Sequence, residues 1–240
     1  MHSPEIEKQE FIEFLKWCLP KLNLRWSGFR KVHGTVRKRL TRRLQDLGLP
    51  DLATYREMLG TDSSEWRELD RLCRIPISRF FRDKSVFEFL AFSCLPECAE
   101  AAHRLGTGTL RVLSAGCASG EEPYTVSLIW QLLLSERYPD IRLKVLALDI
   151  DDVMLERAKR ACYSGSSLKD LPPKLLTKGF TRKEGEYCLR EGFRHGLRFE
   201  KGDLRKEVPA GPFDLILCRN TAFTYFGDAT QAKVFAELVA

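Results

Sequence analysis

A loop of small residues lies between an apolar strand pattern and an apolar helix pattern. Residues 111–113 form a short, mostly apolar run that predicts a buried strand, and the apolar run 126–134 is long enough for a helix. Gly116 and Gly120 lie between the two runs. Open α/β sheets hold nucleotide-like ligands at a strand that is followed by a tight turn and the start of a helix. An ordinary turn between a strand and a helix has the same pattern and is the alternative.

Two carboxylates follow the second glycine and indicate which ligand the loop takes. Glu121 and Glu122 occupy the start of the predicted helix. Acidic side chains suit the positive end of a helix dipole, but they would repel the phosphates of a dinucleotide. S-Adenosylmethionine carries a sulfonium and an ammonium group and no phosphate, so this loop favours S-adenosylmethionine over NAD or ATP.

A further carboxylate ends the next strand pattern. Residues 144–148 predict a parallel-type strand, and Asp149 follows it directly. A carboxylate at this position can accept hydrogen bonds from both ribose hydroxyls of a nucleoside. The alternative is that Asp149 caps the helix that follows. Because the glycine loop lies upstream, we predict the ribose contact.

Alternating strand and helix patterns predict an α/β fold in which a Rossmann-like sheet carries helices on both faces. Residues 213–218 predict the last strand, and the stretch at about 163–198 departs from the repeat and predicts a small antiparallel β insertion. The chain up to about residue 75 contains only helix patterns. We therefore predict an all-helical domain over 1–80 and an α/β ligand-binding domain over 81–240.

The excess positive charge lies in the N-terminal part of the chain. Of the net charge of +6, residues 1–83 contribute +5 through 17 basic and 12 acidic side chains. A predicted helix over 32–47 has an apolar stripe and a basic remainder, which includes Arg37, Lys38, Arg39, Arg42 and Arg43. A solvated helix face and an electrostatic dock for an acidic partner both fit this pattern. Few aromatic residues interleave with the bases, which disfavours nucleic acid.

The bulk composition is typical of a cytoplasmic globular protein. No apolar run approaches the ~18 residues that span a membrane, and the polar, acidic N-terminus is unlike a signal peptide. Eight cysteines are scattered along the chain, and the close pair Cys94 and Cys98 lacks a second pair or a histidine to complete a zinc site. We expect no metal and reduced, mostly buried cysteines.

Four motifs occur in a fixed order along the chain: residues 77–83 (ISRFFRD), 114–124 (SAGCASGEEPY), 149–151 (DID) and 213–220 (FDLILCRN). Together they resemble the CheR family, which consists of S-adenosylmethionine-dependent methyltransferases that esterify glutamates on chemoreceptors. The resemblance covers roughly residues 8–240. It implies that the basic helix meets the receptor and that the cofactor is S-adenosylmethionine.

The resemblance also implies roles for individual residues. With the two loop glycines, the implied cofactor-binding residues are Ser78, Arg82, Gly116, Gly120, Glu122, Asp149, Asp203, Leu204, Arg219 and Asn220. Asp203 and Leu204 match the contact on the adenine side, where the family has an asparagine in place of the aspartate. Tyr225 matches a tyrosine near the transferred methyl group, so Arg82, Arg219 and Tyr225 are the candidate catalytic residues.

The implied reaction is the formation of a methyl ester on a substrate carboxylate. A glutamate with a pKa of ~4.3 is already ionised at neutral pH and needs no general base, so the protein has only to position and desolvate it. A catalytically silent S-adenosylmethionine-binding regulator, or a methylase of a small molecule or of a protein other than a chemoreceptor, is the alternative. The family continues through further strands, so we expect a truncated chain with residues 215–217 left as an apolar edge.

Overall fold

A computed structural model describes residues 6–239 of the protein. The described chain divides into two compact units. One runs up to Ile75 and also includes the segment from Asn220 onward, and the other runs from Pro76 to Arg219. The domain boundaries predicted above stay a prediction.

The first unit is helical. Its helices are α1 Lys8–Cys18, α2 Trp26–Phe29, α3 His33–Leu47, α4 Leu52–Thr61 and α5 Glu65–Cys73, and the later helices α11 Ala222–Tyr225 and α12 Asp228–Val239 belong to it as well. The predicted stripe of α3 is confirmed, since Val36, Leu40 and Leu44 are fully buried. Left-handed Gly48 ends α3, and the carboxylate of Asp51 caps α4 by accepting from the Thr54 amide at 2.8 Å.

The second unit contains the predicted α/β fold. It comprises, in chain order, α6 Lys84–Phe89, α7 Leu95–Arg104, β1 Thr109–Ala115, α8 Glu121–Ile129, β2 Arg142–Asp149, α9 Asp152–Arg160, β3 Cys162–Tyr163, α10 Pro173–Gly179, β4 Phe180–Lys183, β5 Glu186–Leu189, β6 Leu197–Lys201 and β7 Leu215–Leu217. Two π-helical turns extend α6 and α8. Helices flank a parallel sheet, which confirms the Rossmann-like α/β class.

The parallel sheet has the order β6-β2-β1-β7. The chain moves outward from β1 to β2 and β6 and then returns to the other side of β1 with β7. The direction of winding thus reverses between β1 and β7. In sheets of this kind, ligands bind beyond the carboxyl ends of the strands at such a reversal. The glycine loop follows β1, and residues 218–219 follow β7.

The insertion is a separate three-stranded antiparallel sheet of order β3-β5-β4. A turn at Gly185 joins β4 to β5, and residues 193–199 do not form one continuous strand. Gly196, with φ +80°, separates Phe193 from β6, and β6 belongs to the parallel sheet. A Cβ at this glycine would lie 2.4 Å from the carbonyl oxygen of Leu143, so the close backbone contact requires glycine there.

The expectation that all cysteines are reduced is wrong for one pair. Cys162 and Cys188 face each other across β3 and β5 and form a disulfide. The two residues are 26 positions apart, and only the antiparallel pairing of the insertion brings them together. The other six cysteines, all within the described residues, form no disulfide.

The segment before α6 packs into the second unit, as its adjacent phenylalanines predict. The Phe80 ring makes edge contacts with the rings of Tyr163 and Phe180 at centroid distances of 4.8 and 5.2 Å. Phe81 stacks on Phe87 at 5.3 Å. The buried rings fix the backbone that carries the next residue, Arg82.

Within residues 6–239, no helix is both long and apolar enough to cross a membrane. The same residues contain no group of three or more His, Cys, Asp or Glu side chains that could hold a metal ion.

Candidate active site

The glycine loop after β1 has an unusual backbone that neighbouring groups hold in place. Gly116, Ala118 and Gly120 have φ angles of 84°, 47° and 88°. The amides of Gly116 and Cys117 both donate to the carbonyl of Leu148 at 2.8 Å, which docks the loop on the end of β2. A left-handed alanine is disfavoured and persists only where surrounding contacts impose it. The loop is therefore more than an ordinary turn between a strand and a helix.

Asp149 supplies one of these contacts. One oxygen of its carboxylate accepts from the Ala118 amide at 2.7 Å, and the other accepts from the Asp151 amide at 2.9 Å. The helix cap that was the alternative role belongs instead to Asp151, which accepts from the amides of Val153 and Met154. Because a carboxylate oxygen can accept more than one hydrogen bond, Asp149 can hold the loop and still accept from a ribose. The ribose contact stays a prediction.

Glu121 is the buried acid of the loop, and the sequence did not distinguish it from its neighbour. It is 1% exposed, and both carboxylate oxygens accept from the Ser119 hydroxyl at 2.9 Å. The Ser78 hydroxyl is a further hydrogen-bond partner. Burial raises the pKa of Glu121 above its ordinary value, although the two hydroxyls and Arg157 oppose this. Ser78 thus reaches the loop through Glu121.

The Glu121→Gln variant should show a flatter dependence of stability on pH. Because the native carboxyl holds its proton to a higher pH than the unfolded one, the free energy of unfolding falls as pH rises between the two pKa values. This contribution is complete below the unfolded pKa and is lost as pH rises through the folded pKa. Melting temperatures from about pH 4.5 to about pH 8 measure the slope. Glu184→Gln, in an exposed turn, should keep the wild-type slope, and an unchanged slope in Glu121→Gln would contradict the prediction.

Glu122 lies next to Glu121 but has different partners. It accepts from the Ser114 hydroxyl at 2.8 Å and pairs with the Arg219 guanidinium at 3.2 Å. Burial raises its pKa, while Ser114 and Arg219 act in the opposite direction. The two adjacent acids therefore have different partners. Glu121 is held by hydroxyls alone among its side-chain hydrogen bonds, whereas Glu122 is held by one hydroxyl and by an arginine.

Arg219 joins the carboxyl end of β7 to the segment that carries Arg82. Besides Glu122, it donates to the Arg82 carbonyl at 2.8 Å and to the Asp83 carboxylate at 2.6 Å. Its guanidinium also lies over the Phe87 ring, 4.9 Å from the centroid. The Arg82 side chain donates to the Ile77 carbonyl at 2.7 Å. The structure thus connects Arg82, Glu122 and Arg219, whereas Ser78 contacts the neighbouring acid, Glu121.

Asp203 follows β6, and its carboxylate is paired with a residue that the sequence did not reveal. The Arg205 guanidinium donates to both oxygens, at 2.9 and 3.0 Å, and the Arg205 amide donates as well. Burial acts to raise the pKa of Asp203, but the hydrogen bonds and charge of Arg205 outweigh it and lower the pKa. Leu204 is buried, and the Gly202 amide donates to the Asp149 carbonyl at 3.0 Å. The adenine contact of Asp203 and Leu204 stays a prediction.

Two further predicted site residues belong to the first unit. Asn220 adopts a left-handed conformation with φ 53°. Tyr225 ends α11, where its carbonyl accepts from the Arg25 amide at 2.8 Å and its ring meets the edge of Phe29 at 5.3 Å. Their roles at the cofactor and near the methyl group stay predictions.

The basic helix α3 divides its charges between two uses. Arg39 donates to the carbonyls of Leu72 and Arg74, and Arg43 forms two hydrogen bonds with the buried carboxylate of Glu65. These two arginines hold α3 against α5. Among the other predicted docking residues, Lys38 and Arg42 are exposed and Arg37 is half-buried. Fewer of the five basic side chains are therefore available to a partner than the sequence predicted.

The Gly120→Ala variant should lose about 3 kcal/mol of stability. The added Cβ would require a left-handed alanine at φ 88° and would lie 3.0 Å from the Ala158 Cβ and 3.1 Å from the Tyr124 ring. Denaturant unfolding measures the loss. Gly34→Ala is the matched control, because its Cβ would enter open space in α3 and should stabilise the helix by about 0.5 kcal/mol. A Gly120→Ala variant as stable as the wild type would contradict the prediction, because it would show that the loop backbone can shift to accept a Cβ at this position.

These features define a class of protein, an α/β protein whose cofactor loop and carboxylates meet where the sheet reverses its winding. The family model described as CheR methyltransferase, SAM binding domain, matches residues 77–240. The chain belongs to the CheR methyltransferase family. Its predicted family, its fold class and S-adenosylmethionine as its cofactor are thereby confirmed, and methyl transfer is the activity of the family.

Curated relatives agree with this assignment. The chain is 35% identical over 213 residues to the chemotaxis protein methyltransferase of Salmonella typhimurium, covering 85% of this chain and 69% of that protein. It is 33% identical over 212 residues to the Escherichia coli protein of the same name, covering 85% and 70%. It is also 35% identical over 208 residues to an uncharacterized 104.1 kDa protein of Rhodobacter capsulatus. This alignment covers 85% of the present chain but only 21% of that much longer protein.

Among solved structures, S-adenosylmethionine-bound CalS10, an amino pentose methyltransferase from Micromonospora echinaspora, aligns with 69% of this chain and 53% of its own chain. The sequence identity is 19% and the TM-score is 0.28, a likeness too slight to carry an argument.

Proposed function

We propose that this protein transfers a methyl group from S-adenosylmethionine to a carboxylate of an acidic protein and forms a methyl ester. The observation that carries the proposal is the network at the reversal of the sheet, in which Arg219 links Glu122 of the cofactor loop to the Arg82 segment. The similarity to chemotaxis protein methyltransferases supports a chemoreceptor-type acceptor. The proposed location is the cytoplasm.

The acidic groups at the carboxyl ends of the parallel strands suit a nucleoside that carries positive charge and no phosphate. Glu121, Glu122 and Asp149 come together around the start of α8, where free amides and basic residues would be needed to hold a diphosphate. Asp149 would hold the ribose, and Asp203 with Leu204 would contact the adenine. When bound, S-adenosylmethionine supplies a methyl group activated by its sulfonium.

The chain's own task is to position an anion that is already reactive. A substrate carboxylate with a pKa of ~4.3 has no proton to give to the protein, so the chain would have only to hold one of its oxygens against the methyl group that S-adenosylmethionine would supply. Arg82 is the proposed group that orients the carboxylate, and Tyr225 is the proposed side chain along the methyl path.

The direct test is transfer of labelled methyl groups to the acidic cytoplasmic part of a chemoreceptor, followed by mild alkali. We expect label that alkali releases as methanol, because esters hydrolyse under conditions that leave methylated nitrogen intact. An Asp149→Ala variant serves as the blank. Alkali-stable label would exclude a carboxylate acceptor, and binding of S-adenosylmethionine without transfer to any protein would favour the silent regulator.

We also propose that the exposed bases of α3 dock the acidic acceptor. The Lys38→Glu/Arg42→Glu variant should raise KM for a protein acceptor about tenfold, while the affinity for S-adenosylmethionine stays unchanged, because exposed charges act on encounter with the partner. Initial rates at varied acceptor concentration measure the effect. Lys8→Glu/Lys16→Glu reverses two exposed charges on α1 and is the matched control. Equal KM values for the two variants would rule out α3 as the dock.

A further inference from the structure

Tyr163 links the antiparallel insertion to the cofactor loop. It lies on β3 and is 1% exposed. β3 is held to β5 by the ladder that pairs Tyr163 with Tyr187 and by the disulfide at the preceding residue, Cys162. The Phe80 ring contacts the Tyr163 ring edge-on at 4.8 Å. Both the position and the direction of the Tyr163 side chain are therefore fixed from outside the loop.

The hydroxyl of this side chain points at the loop backbone. It donates to the carbonyl of Ser119 at 2.7 Å. Ser119 is 3% exposed and lies between two residues in the left-handed conformation, Ala118 and Gly120. The Ser119 hydroxyl donates its own hydrogen bond to the Glu121 carboxylate. The Ser119 carbonyl thus takes its hydrogen bond from a residue 44 positions away.

The Ser119 peptide connects the two halves of the loop. The Ala118 amide on one side is held by Asp149, and Gly120 on the other side is the N-cap residue of α8. A rotation of this peptide would redirect the Ser119 carbonyl together with the Gly120 amide, which donates to the Cys117 carbonyl at 2.9 Å. Without a donor, the buried carbonyl would be left unsatisfied, which favours such a rotation. Burial raises the pKa of Tyr163 well above its ordinary value, so the hydroxyl stays a donor at neutral and alkaline pH.

We infer that Tyr163 is a positioning residue for the cofactor: its hydroxyl fixes the Ser119 peptide, so the insertion sets the shape of the S-adenosylmethionine loop. The inference rests on S-adenosylmethionine as the ligand of this loop, but not on the nature of the methyl acceptor. The insertion is then part of the support of the cofactor site.

The experiment compares Tyr163→Phe with Tyr124→Phe. Tyr124 is also buried, and its hydroxyl donates to a backbone carbonyl at 2.9 Å, but this carbonyl is that of Ala158 in the last turn of α9. Both variants lose one buried hydrogen bond and should lose similar stability. Only Tyr163→Phe should weaken S-adenosylmethionine binding, by about tenfold, and speed amide hydrogen exchange at Ala118 and Gly120. Calorimetric titration and exchange without ligand measure the two effects.

The result that overturns the inference is equal affinity and equal loop exchange in the two variants, which would leave Tyr163 with a structural role alone. Neither measurement needs turnover, so a failure of the ester assay would count against the proposed reaction and leave this result standing. With a protein acceptor, Tyr163→Phe should raise KM for S-adenosylmethionine and leave kcat within twofold. A fall in kcat with an unchanged KM would likewise contradict a role in cofactor binding.

Discussion

The Asp149→Ala variant should bind S-adenosylmethionine at least about 100-fold more weakly than the wild type, which corresponds to about 2.7 kcal/mol. Two effects add. The substitution removes the acceptor of the Ala118 and Asp151 amides, so the left-handed alanine loses its support. It also removes the proposed acceptor of the ribose hydroxyls. Calorimetric titration measures the affinity, and a change below threefold would refute both roles.

The control for this prediction is Asp151→Ala. Asp151 is two residues away and uses its carboxylate to cap α9, so its loss should cost about 1 kcal/mol of stability and leave the affinity nearly unchanged. The ribose role can be separated from the loop role with an analogue that lacks a ribose hydroxyl. If Asp149 accepts from that hydroxyl, the analogue should bind more weakly than S-adenosylmethionine in the wild type, but the two should bind equally in Asp149→Ala, which has no side-chain acceptor.

The Arg219→Met variant should lose methyl transfer by more than about 100-fold and stability by about 3 kcal/mol. Arg219 is 18% exposed and Glu122 is 13% exposed, so the substitution leaves a largely buried carboxylate without its cation. It also removes the donors to the Arg82 carbonyl and to Asp83, and thus frees the segment that carries Arg82. Chemical unfolding and kcat/KM measure the two losses.

A double variant distinguishes the electrostatic effect from the positional one. Arg219→Met/Glu122→Gln removes both charges and should recover most of the lost stability, while activity stays low because the Arg82 segment is still untethered. Arg111→Met is the control, since it breaks a more exposed pair with Asp214 at the beginning of β1. Its activity should equal that of the wild type. Activity within fivefold of the wild type in Arg219→Met would exclude the tether.

Local patterns were sufficient to predict the sheet and its ligand loop. The strands around residues 112 and 146, the loop glycines and the acids at 121 and 122 are each encoded within a short stretch of sequence. Periodicity and turn chemistry are therefore enough to identify them. The partner of Glu122 could not be predicted in this way, because Arg219 is 97 residues away in the sequence. The two side chains come together only because β7 lies next to β1 in the sheet. The same holds for Tyr163 and Ser119, which the insertion brings together.

The basic helix shows the same limit on a smaller scale. Five bases on α3 are equivalent in the sequence, and the apolar stripe predicts only which side of the helix is buried. Arg39 and Arg43 differ from Lys38 and Arg42 because α5 supplies their acceptors, the Leu72 carbonyl and the Glu65 carboxylate. A pattern within one helix contains no information about the acceptors on another.

The disulfide of the insertion turns residues 162–188 into a covalent ring, and this has a consequence for limited proteolysis. Arg182 and Lys183, at the exposed end of β4 next to the turn at Glu184, lie inside the ring and offer trypsin two cleavage sites. A cut there leaves two fragments that the bond between Cys162 and Cys188 still joins. The nicked protein should therefore migrate as one band without a thiol and as two bands with it, and it should stay folded until the thiol is added.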